Sequence, residues 1–177
     1  IKAWAKFNKT ETPEHLFVSL IPAKLSDAVG AFQVKEAIQQ IVELTDLTPT
    51  LIIIDTLARN FGGDENSAVD IGDFIRNIDS LRHDWKATVL IVHHSGKDSG
   101  KGARGSSALK GAVDAEYEVS RNSADGIVSL TAKKMKAAEE PKPIAFKLVS
   151  MSLHDTTGQS LSSVALKLAE YKAISPI

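Results

Sequence analysis

An aspartate and two adjacent histidines stand directly after the two most apolar segments of the chain. Asp55 follows the run LIII at residues 51–54, and His93 and His94 follow the run TVLIV at residues 88–92. Parallel sheets bind ligands beyond the carboxyl ends of their strands. If both runs are parallel strands, the carboxylate and the imidazoles lie at the same edge of the sheet, which we call the rim. The alternative is that Asp55 only caps a loop, and the residues alone leave both readings open.

Several reactions place an aspartate at the end of a buried strand. The sequence lacks the G-x-G-x-x-G pattern of a dinucleotide site and the G-x-S-x-G pattern of a serine hydrolase. No second aspartate of the D-x-D kind supports a phosphoryl acceptor, and the paired histidines have no evident third partner for a metal. The remaining candidate is the Walker B carboxylate of a P-loop ATPase, which holds Mg²⁺ against a triphosphate.

A Walker B aspartate needs a phosphate loop of the form G-x-x-x-x-G-K-[ST]. These 177 residues contain none. The nearest imitation is GKDSGKG at residues 96–102, which is one residue short and has no serine or threonine after its second lysine. It also follows the wrong strand, so we reject it as a phosphate loop.

The first half of the chain predicts alternating strands and helices. FVSLI at residues 17–21, TLIIID at 50–55 and ATVLIV at 87–92 have the composition of strands, and the second of these suits a central strand covered on both faces. Apolar residues recur at helical spacing between them, and Ser67 or Asp70 can cap the second helix. The members are Val34, Ala37, Ile38, Ile41 and Val42 in one helix, and Ile71, Phe74, Ile75, Ile78, Leu81 and Trp85 in the other.

The second half predicts antiparallel strands. AEYEVSR and GIVSLTAKKMK are joined at NSADG, which is a plausible hairpin turn, and PIAFKLVSM and SLSSVALKL flank HDTTGQ. The sequence therefore predicts an α/β protein with a parallel front half and an antiparallel back half.

Composition limits the class of protein. The chain is 43% hydrophobic and 24% charged, its net charge is −1, and it has no cysteine. This composition is globular, and it excludes disulfides and thiolate metal sites. No apolar run reaches the roughly 20 residues that a membrane helix needs. No signal peptide is visible, so we expect a cytoplasmic protein without a membrane partner.

Four blocks in order resemble a known family. LIIIDTLARNFGGDENS, VLIVHHSGK, RGSSALKGAVDAEYEV and LTAKKMKAAE with PIAFKL look like the RecA-like ATPases of the RepA hexameric-helicase type. The resemblance runs from about Ile1 to Leu148. It implies a partial RecA-like core over residues 1–177: a parallel central sheet with helices on both faces that continues into antiparallel C-terminal strands. It also implies that the phosphate loop precedes Ile1, so that the single domain is N-terminally truncated.

The resemblance assigns roles at the strand ends. Asp55 would be the Mg²⁺ ligand, with Thr56 beside it in a site for ATP and Mg²⁺. His94 would sense the γ-phosphate, with His93 as the alternative. The segment Asp64, Glu65 and Asn66 resembles the acidic loop next to the site. A solvated turn explains this segment equally well.

Two basic segments resemble contacts to DNA and to a neighbouring subunit. The loop from Ser95 to Gly105 resembles the one that meets single-stranded DNA, and we expect it to be mobile without DNA. Its alternative is a surface loop without a ligand. Lys134 and Lys136 resemble a finger that reaches a neighbour's triphosphate, although Ala137 replaces the usual acid, and a lysine-rich edge strand is the alternative. The DNA-binding residues would be Lys97, Lys101, Arg104 and Lys110.

Two functions follow as expectations. The first is the larger part of an ATPase that couples ATP hydrolysis to binding or unwinding of single-stranded DNA in replication or repair. It would act as a homo-oligomeric ring, a hexamer by resemblance, and this chain alone would not hydrolyse ATP. The alternative is a non-catalytic RecA-like module that binds DNA or assembles.

Overall fold

The computed structural model describes residues 1–94 and 107–171. The chain divides into two compact units. The parallel unit is Val18–Val113, and the antiparallel unit combines Ile1–Phe17 with Asp114–Ile177. The expectation of one domain over residues 1–177 stays a prediction. In chain order the elements are α1 (Lys2–Asn8), α2 (Ala28–Thr45), β1 (Leu51–Asp55), α3 (Leu57–Asn60), α4 (Ala68–Trp85), β2 (Thr88–Val92), α5 (Ser107–Ala112), β3 (Ala115–Arg121), β4 (Val128–Met135), β5 (Ile144–His154) and β6 (Ser160–Ala169).

The parallel unit is a two-stranded parallel sheet with crossover helices. β1 and β2 pair in register, with Leu51 opposite Thr88 and Asp55 opposite Val92. The helices begin where the sequence offers caps. Asp27 accepts a hydrogen bond from the backbone N–H of Val29 at the start of α2, and Ser67 caps α4. The predicted helices, the two strands and the Ser67 cap are confirmed.

One face of the parallel sheet packs against the predicted apolar face of α4. Phe61 and Phe74 pack with their rings tilted by 51° and the ring centroids 5.3 Å apart, and both are almost fully buried. Burial of the aromatic rings and branched side chains is the main source of stability here. The core cluster is Leu25, Ala31, Ile54, Leu57, Phe61, Ile71, Phe74, Ile78 and Leu81.

The other face of the parallel sheet is open in the part of the chain that the structure describes. Ile54 is 5% exposed on the packed face, whereas Ile53 is 51% and Leu90 is 49% exposed on the opposite face. The sequence predicts a strand covered on both faces, and the described residues cover one. An uninterrupted apolar run does not by itself show what lies on either side.

The predicted strand at residues 17–21 is wrong. The structure has no strand there, and Val18, Leu20 and Ile21 are 70%, 95% and 80% exposed. Within this segment the hydroxyl of Ser19 donates a hydrogen bond to the backbone carbonyl of Ile21. Apolar and β-branched residues favour a strand only where a neighbouring strand completes the ladder.

The antiparallel unit is a four-stranded sheet in the order β3-β4-β5-β6. Both predicted hairpins are confirmed, and α1 contacts β5 and β6. A β-bulge interrupts the β3–β4 ladder, because Glu116 pairs with Lys134 while Tyr117 pairs with Ala132. Lys133 is therefore the extra residue on β4. Among the described residues, no helix has the length and apolar character needed to cross a bilayer.

Candidate functional site

The parallel register places the candidate residues at one edge of the sheet. Asp55 ends β1 opposite Val92, and His93 and His94 follow Val92 directly. The predicted common rim for the aspartate and the histidines is therefore confirmed. The chemical roles assigned to them stay predictions.

Asp55 lies on the open face of the sheet, and the backbone after it is firmly held. Asp55 is exposed. The peptide bond between Asp55 and Thr56 is cis. The carbonyl oxygen of Thr56 accepts hydrogen bonds from the backbone N–H groups of Arg59 and Asn60, each at 3.1 Å, and from the Asn60 side chain at 3.0 Å. This part of the rim presents a carboxylate to solvent from a fixed turn.

Asn60 is an anchor that the sequence reasoning missed. Its side-chain amide donates to Thr56, and its side-chain oxygen accepts from the backbone N–H of Ala23 at 2.9 Å. It therefore ties the segment before α2 to the strand end that carries Asp55. An asparagine at the end of a short polar turn gives no sequence signal for such a contact.

The acidic loop is an ordered turn tied to the start of α4. The backbone N–H of Asp64 donates to Oδ2 of Asp70 at 2.8 Å, and the Ser67 hydroxyl lies 3.1 Å from Oδ1 of the same carboxylate. Asn66 donates to Oδ1 of Asp64 through its backbone at 2.9 Å and its side chain at 3.1 Å. Asp64, Asp70 and Asn66 thus build the loop, which leaves Glu65 as the acid that can reach beyond it.

Gly62 explains why this loop can lie so close to its neighbours. Its φ angle is +84°, and a Cβ added there would lie 2.7 Å from Cβ of Lys24. A left-handed φ and a close approach both favour glycine.

Glu65 contacts one of the two histidines. Its Oε2 lies 3.7 Å from Nε2 of His93, and the two side chains are 26% and 18% exposed. His94 is exposed. The structure therefore separates two neighbours that the sequence could not separate: His93 faces the acidic loop and His94 faces solvent.

The donor set at the rim suits a magnesium ion that shares its ligands with a phosphate. Among the described residues, no group of three or more histidine, cysteine, aspartate or glutamate side chains could hold a metal. Asp55 supplies one exposed carboxylate. Mg²⁺ is commonly bound through one or two carboxylates, with waters and substrate phosphates completing its shell. The residues present fit an ion of this kind and not a protein-only metal cage.

The predicted DNA-contacting residues fall mostly outside the described part of the chain. Lys97, Lys101 and Arg104, together with the segment from Ser95 to Gly105 that we expected to be mobile, lie in the undescribed gap. Lys110 is exposed on α5, whose Leu109 packs against the core of the parallel unit. Only Lys110 of the four has a described position.

The lysine segment of β4 carries ion pairs with neighbouring acids. Lys133 Nζ lies 2.9 Å from Oε2 of Glu118, and this hydrogen bond raises the pKa of Lys133. Lys136 follows the end of β4. Its Nζ lies 3.4 Å from Oδ1 of Asp114, and its backbone N–H donates to the Asp114 carbonyl at 2.9 Å. Asp114 therefore anchors Lys136, which is followed by Ala137 and not by an acid.

Comparison with known proteins identifies the family. A family model described as an AAA domain matches residues 1–100, which is more than half of the chain. The chain therefore belongs to the AAA domain family. The matched region contains Asp55, the acidic loop and both histidines of the rim. No curated protein matches the chain. Members of this family are ATPases that generally use ATP and Mg²⁺.

Proposed function

We propose that this chain is the larger part of a RecA-like ATPase of the RepA hexameric-helicase type. Such a protein couples ATP hydrolysis to binding or unwinding of single-stranded DNA in replication or repair. The observation that carries the proposal is the register of the parallel sheet, which puts Asp55 and the residues after Val92 on one rim. That is where α/β sheets bind their ligands.

In this proposal the rim residues divide the work of holding a nucleotide. Asp55 supplies the carboxylate ligand for Mg²⁺, and the ion neutralises triphosphate charge when it is bound. Thr56 continues the strand end, and the Asn60 hydrogen bonds keep both residues in place. His94 is exposed and would contact a terminal phosphate. The acidic loop borders the site and contributes Glu65 at its edge.

In this proposal the basic residues contact single-stranded DNA and a neighbouring subunit. Lysines and an arginine in a glycine-rich loop suit the phosphate backbone of single-stranded DNA. The residues concerned are Lys97, Lys101 and Arg104 in that loop, and Lys110 on α5. Lys134 and Lys136 act across a subunit interface in a ring, for which we propose a hexamer.

The phosphate loop is the part that these residues do not supply. The 177 residues contain no G-x-x-x-x-G-K-[ST] pattern, and the backbone amides and lysine of that loop cradle the phosphates. We therefore propose that another segment contributes it. The same observation favours a second candidate function: a non-catalytic module that binds DNA or assembles without hydrolysing ATP.

The test is ATP hydrolysis in a protein that carries these residues together with a phosphate loop. Asp55→Asn keeps the shape of the side chain and removes its charge. We expect the turnover rate to fall by about 10² to 10³, the size of effect seen when one preorganised electrostatic contact is lost. The matched control is Asp46→Asn, since Asp46 is exposed at the C-cap of α2 in the left-handed conformation that asparagine tolerates.

Two results separate the candidates. An Asp55→Asn protein that hydrolyses ATP at the control rate would remove Asp55 from the nucleotide site. A protein with an intact phosphate loop that binds single-stranded DNA and shows no hydrolysis before any substitution would support the non-catalytic module instead.

A further inference from the structure

A partly buried contact between a carboxylate and an imidazole joins the acidic loop to the chain that leaves β2. Oε2 of Glu65 and Nε2 of His93 are 3.7 Å apart, and the side chains are 26% and 18% exposed. Opposite charges that are partly withdrawn from water attract each other more than freely exposed ones, because solvent and salt screen them less. The contact is therefore placed where it can influence the conformation of the rim.

The two sides of this contact differ in how firmly their backbones are held. Glu65 belongs to a turn that Asp70 and Ser67 tie to the first turn of α4. His93 comes after Val92, the last residue of the β1–β2 ladder. The ladder fixes Val92 and stops there, so the contact with Glu65 supplies a restraint that the sheet does not.

The register indicates which way each histidine should face. Ile91 pairs with Ile54 on the face that packs against α4, and Val92 pairs with Asp55 on the open face. Successive residues of an extended chain alternate between faces. Continued past Val92, this alternation puts His93 on the α4 side and His94 on the side of Asp55. The contact of His93 with the loop leading into α4, and the exposure of His94, agree with that alternation.

We propose that Glu65 is a positioning residue. Its carboxylate holds the His93 imidazole on the α4 side of the sheet, and the chain then presents His94 on the face that carries Asp55. A role for His94 in contacting nucleotide rests on the proposed function. The restraint that Glu65 places on the end of β2 does not rest on it.

Glu65 is the acid of this region that is available for the task. Asp55 lies on the opposite face of the sheet by its register with Val92. Asp64 and Asp70 direct their carboxylates into the hydrogen bonds of the loop. Glu65 extends from the same loop to His93, so it is the acid of this loop whose carboxylate contacts the imidazole.

The first measurement is the backbone order of His93 and His94 by NMR relaxation in the 177-residue chain. In the wild type we expect order parameters near 0.85, as in rigid backbone. Glu65→Gln should lower both values toward about 0.6, the boundary of flexible backbone. Glu36→Gln is the matched control, since Glu36 is exposed on α2 of the same unit. It should leave both values unchanged.

Equal order parameters of His93 and His94 in the wild type and in Glu65→Gln would overturn the proposal.

A second measurement tests the consequence for His94. Mn²⁺ alone is added in place of Mg²⁺, and paramagnetic relaxation of the His94 ring is compared in the wild type, Asp55→Asn and Glu65→Gln. We expect an effect in the wild type that Asp55→Asn removes and that Glu65→Gln reduces several-fold, because this relaxation falls steeply with distance. An effect that depends on Asp55 and is undiminished in Glu65→Gln would show that Glu65 does not place His94.

The two measurements also keep this proposal separate from the proposed function. If Mn²⁺ gives no relaxation that depends on Asp55, this carboxylate does not hold the ion without a phosphate ligand, and the order parameters still decide whether Glu65 holds His93. If the order parameters do not change in Glu65→Gln, the positioning role fails even where Asp55 binds the ion.

Discussion

The parallel sheet and the antiparallel sheet place their charged residues in different surroundings. At the rim of the parallel sheet, Glu65 and His93 are 26% and 18% exposed and meet from separate elements. On the antiparallel sheet, Lys133 and Glu118 are 46% and 47% exposed and meet across a single hairpin. Glu65 and His93 meet because the fold brings a loop and a strand end together. Lys133 and Glu118 meet because their strands are adjacent in the sheet.

The difference shows where chemistry can be concentrated in this molecule. A parallel pair needs a crossover, and here the crossover delivers the end of α3, the acidic loop and the cap of α4 beside the strand ends. An antiparallel hairpin needs only a turn, so its charged residues pair between adjacent strands on an exposed surface. Under the proposed function, the side chains that act together are those at the ends of β1 and β2.

The largest effect is expected where the two regions are proposed to meet across a subunit boundary. If Lys134 and Lys136 neutralise a neighbour's triphosphate, replacing both with alanine should leave nucleotide binding nearly intact. The turnover rate should fall by up to about 10³ to 10⁵, as for arginine fingers. The measurement is made in a ring-forming protein that carries these residues and a phosphate loop. Lys142→Ala is a control, since Lys142 is exposed outside the strands.

A mixing experiment identifies the subunit on which the lysines act. The double-lysine variant is mixed with a variant that lacks the Asp55 carboxylate, each being inactive alone. Mixed rings should regain activity, because some interfaces then pair an intact aspartate with intact lysines. If mixed rings form and no activity returns, the lysines do not act across the interface.

The next effect concerns the core that supports the rim. Phe74 on α4 is fully buried and packs in a tilted contact with the ring of Phe61. Phe74→Ala should lower the free energy of unfolding by about 3 to 5 kcal/mol, through lost burial and the cavity left behind. Phe32→Ala is the matched control, because Phe32 on α2 is 60% exposed. Denaturant unfolding measures both, and equal losses would show that the core of this unit lies elsewhere.

The sequence predicted the elements whose information is local. Helices α2 and α4 have an apolar period and a capping side chain, and both hairpins have turn residues between strand-like segments. The common rim followed as well, because two apolar runs separated by a helix favour parallel pairing. These predictions depend on spacing within a short stretch of chain, and spacing can be read directly.

The predictions that failed or could not be made depend on what lies across space. Residues 17–21 have the composition of a strand, and composition does not show whether a partner strand is present. The contacts of Glu65 with His93 and of Asp114 with Lys136 join residues far apart in the chain. The bulge at Lys133 adds one residue to β4. The alternation of side chains along a strand does not show in the sequence where such a residue is inserted.

The smallest expected effect belongs to the exposed pair on the antiparallel sheet. The hydrogen bond and charge of Glu118 raise the pKa of Lys133 above its ordinary value of 10.5. A lysine whose pKa is raised by folding adds stability below its unfolded value, and this contribution is lost as the pH rises through the folded value. The pair should therefore stabilise the protein at neutral pH and lose its effect only in alkaline solution.

Replacing Glu118 with glutamine tests this pair by NMR titration of the Lys133 ammonium group. The pKa of Lys133 should fall toward its ordinary value, because the variant removes the charge that holds the proton. Glu140→Gln is the control, since Glu140 is exposed and outside the strands. Stability at neutral pH should change little, as is usual for exposed ion pairs. A loss as large as that of Phe74→Ala would contradict the comparison, since it would mean that the hairpin pair is as important for stability as the buried core.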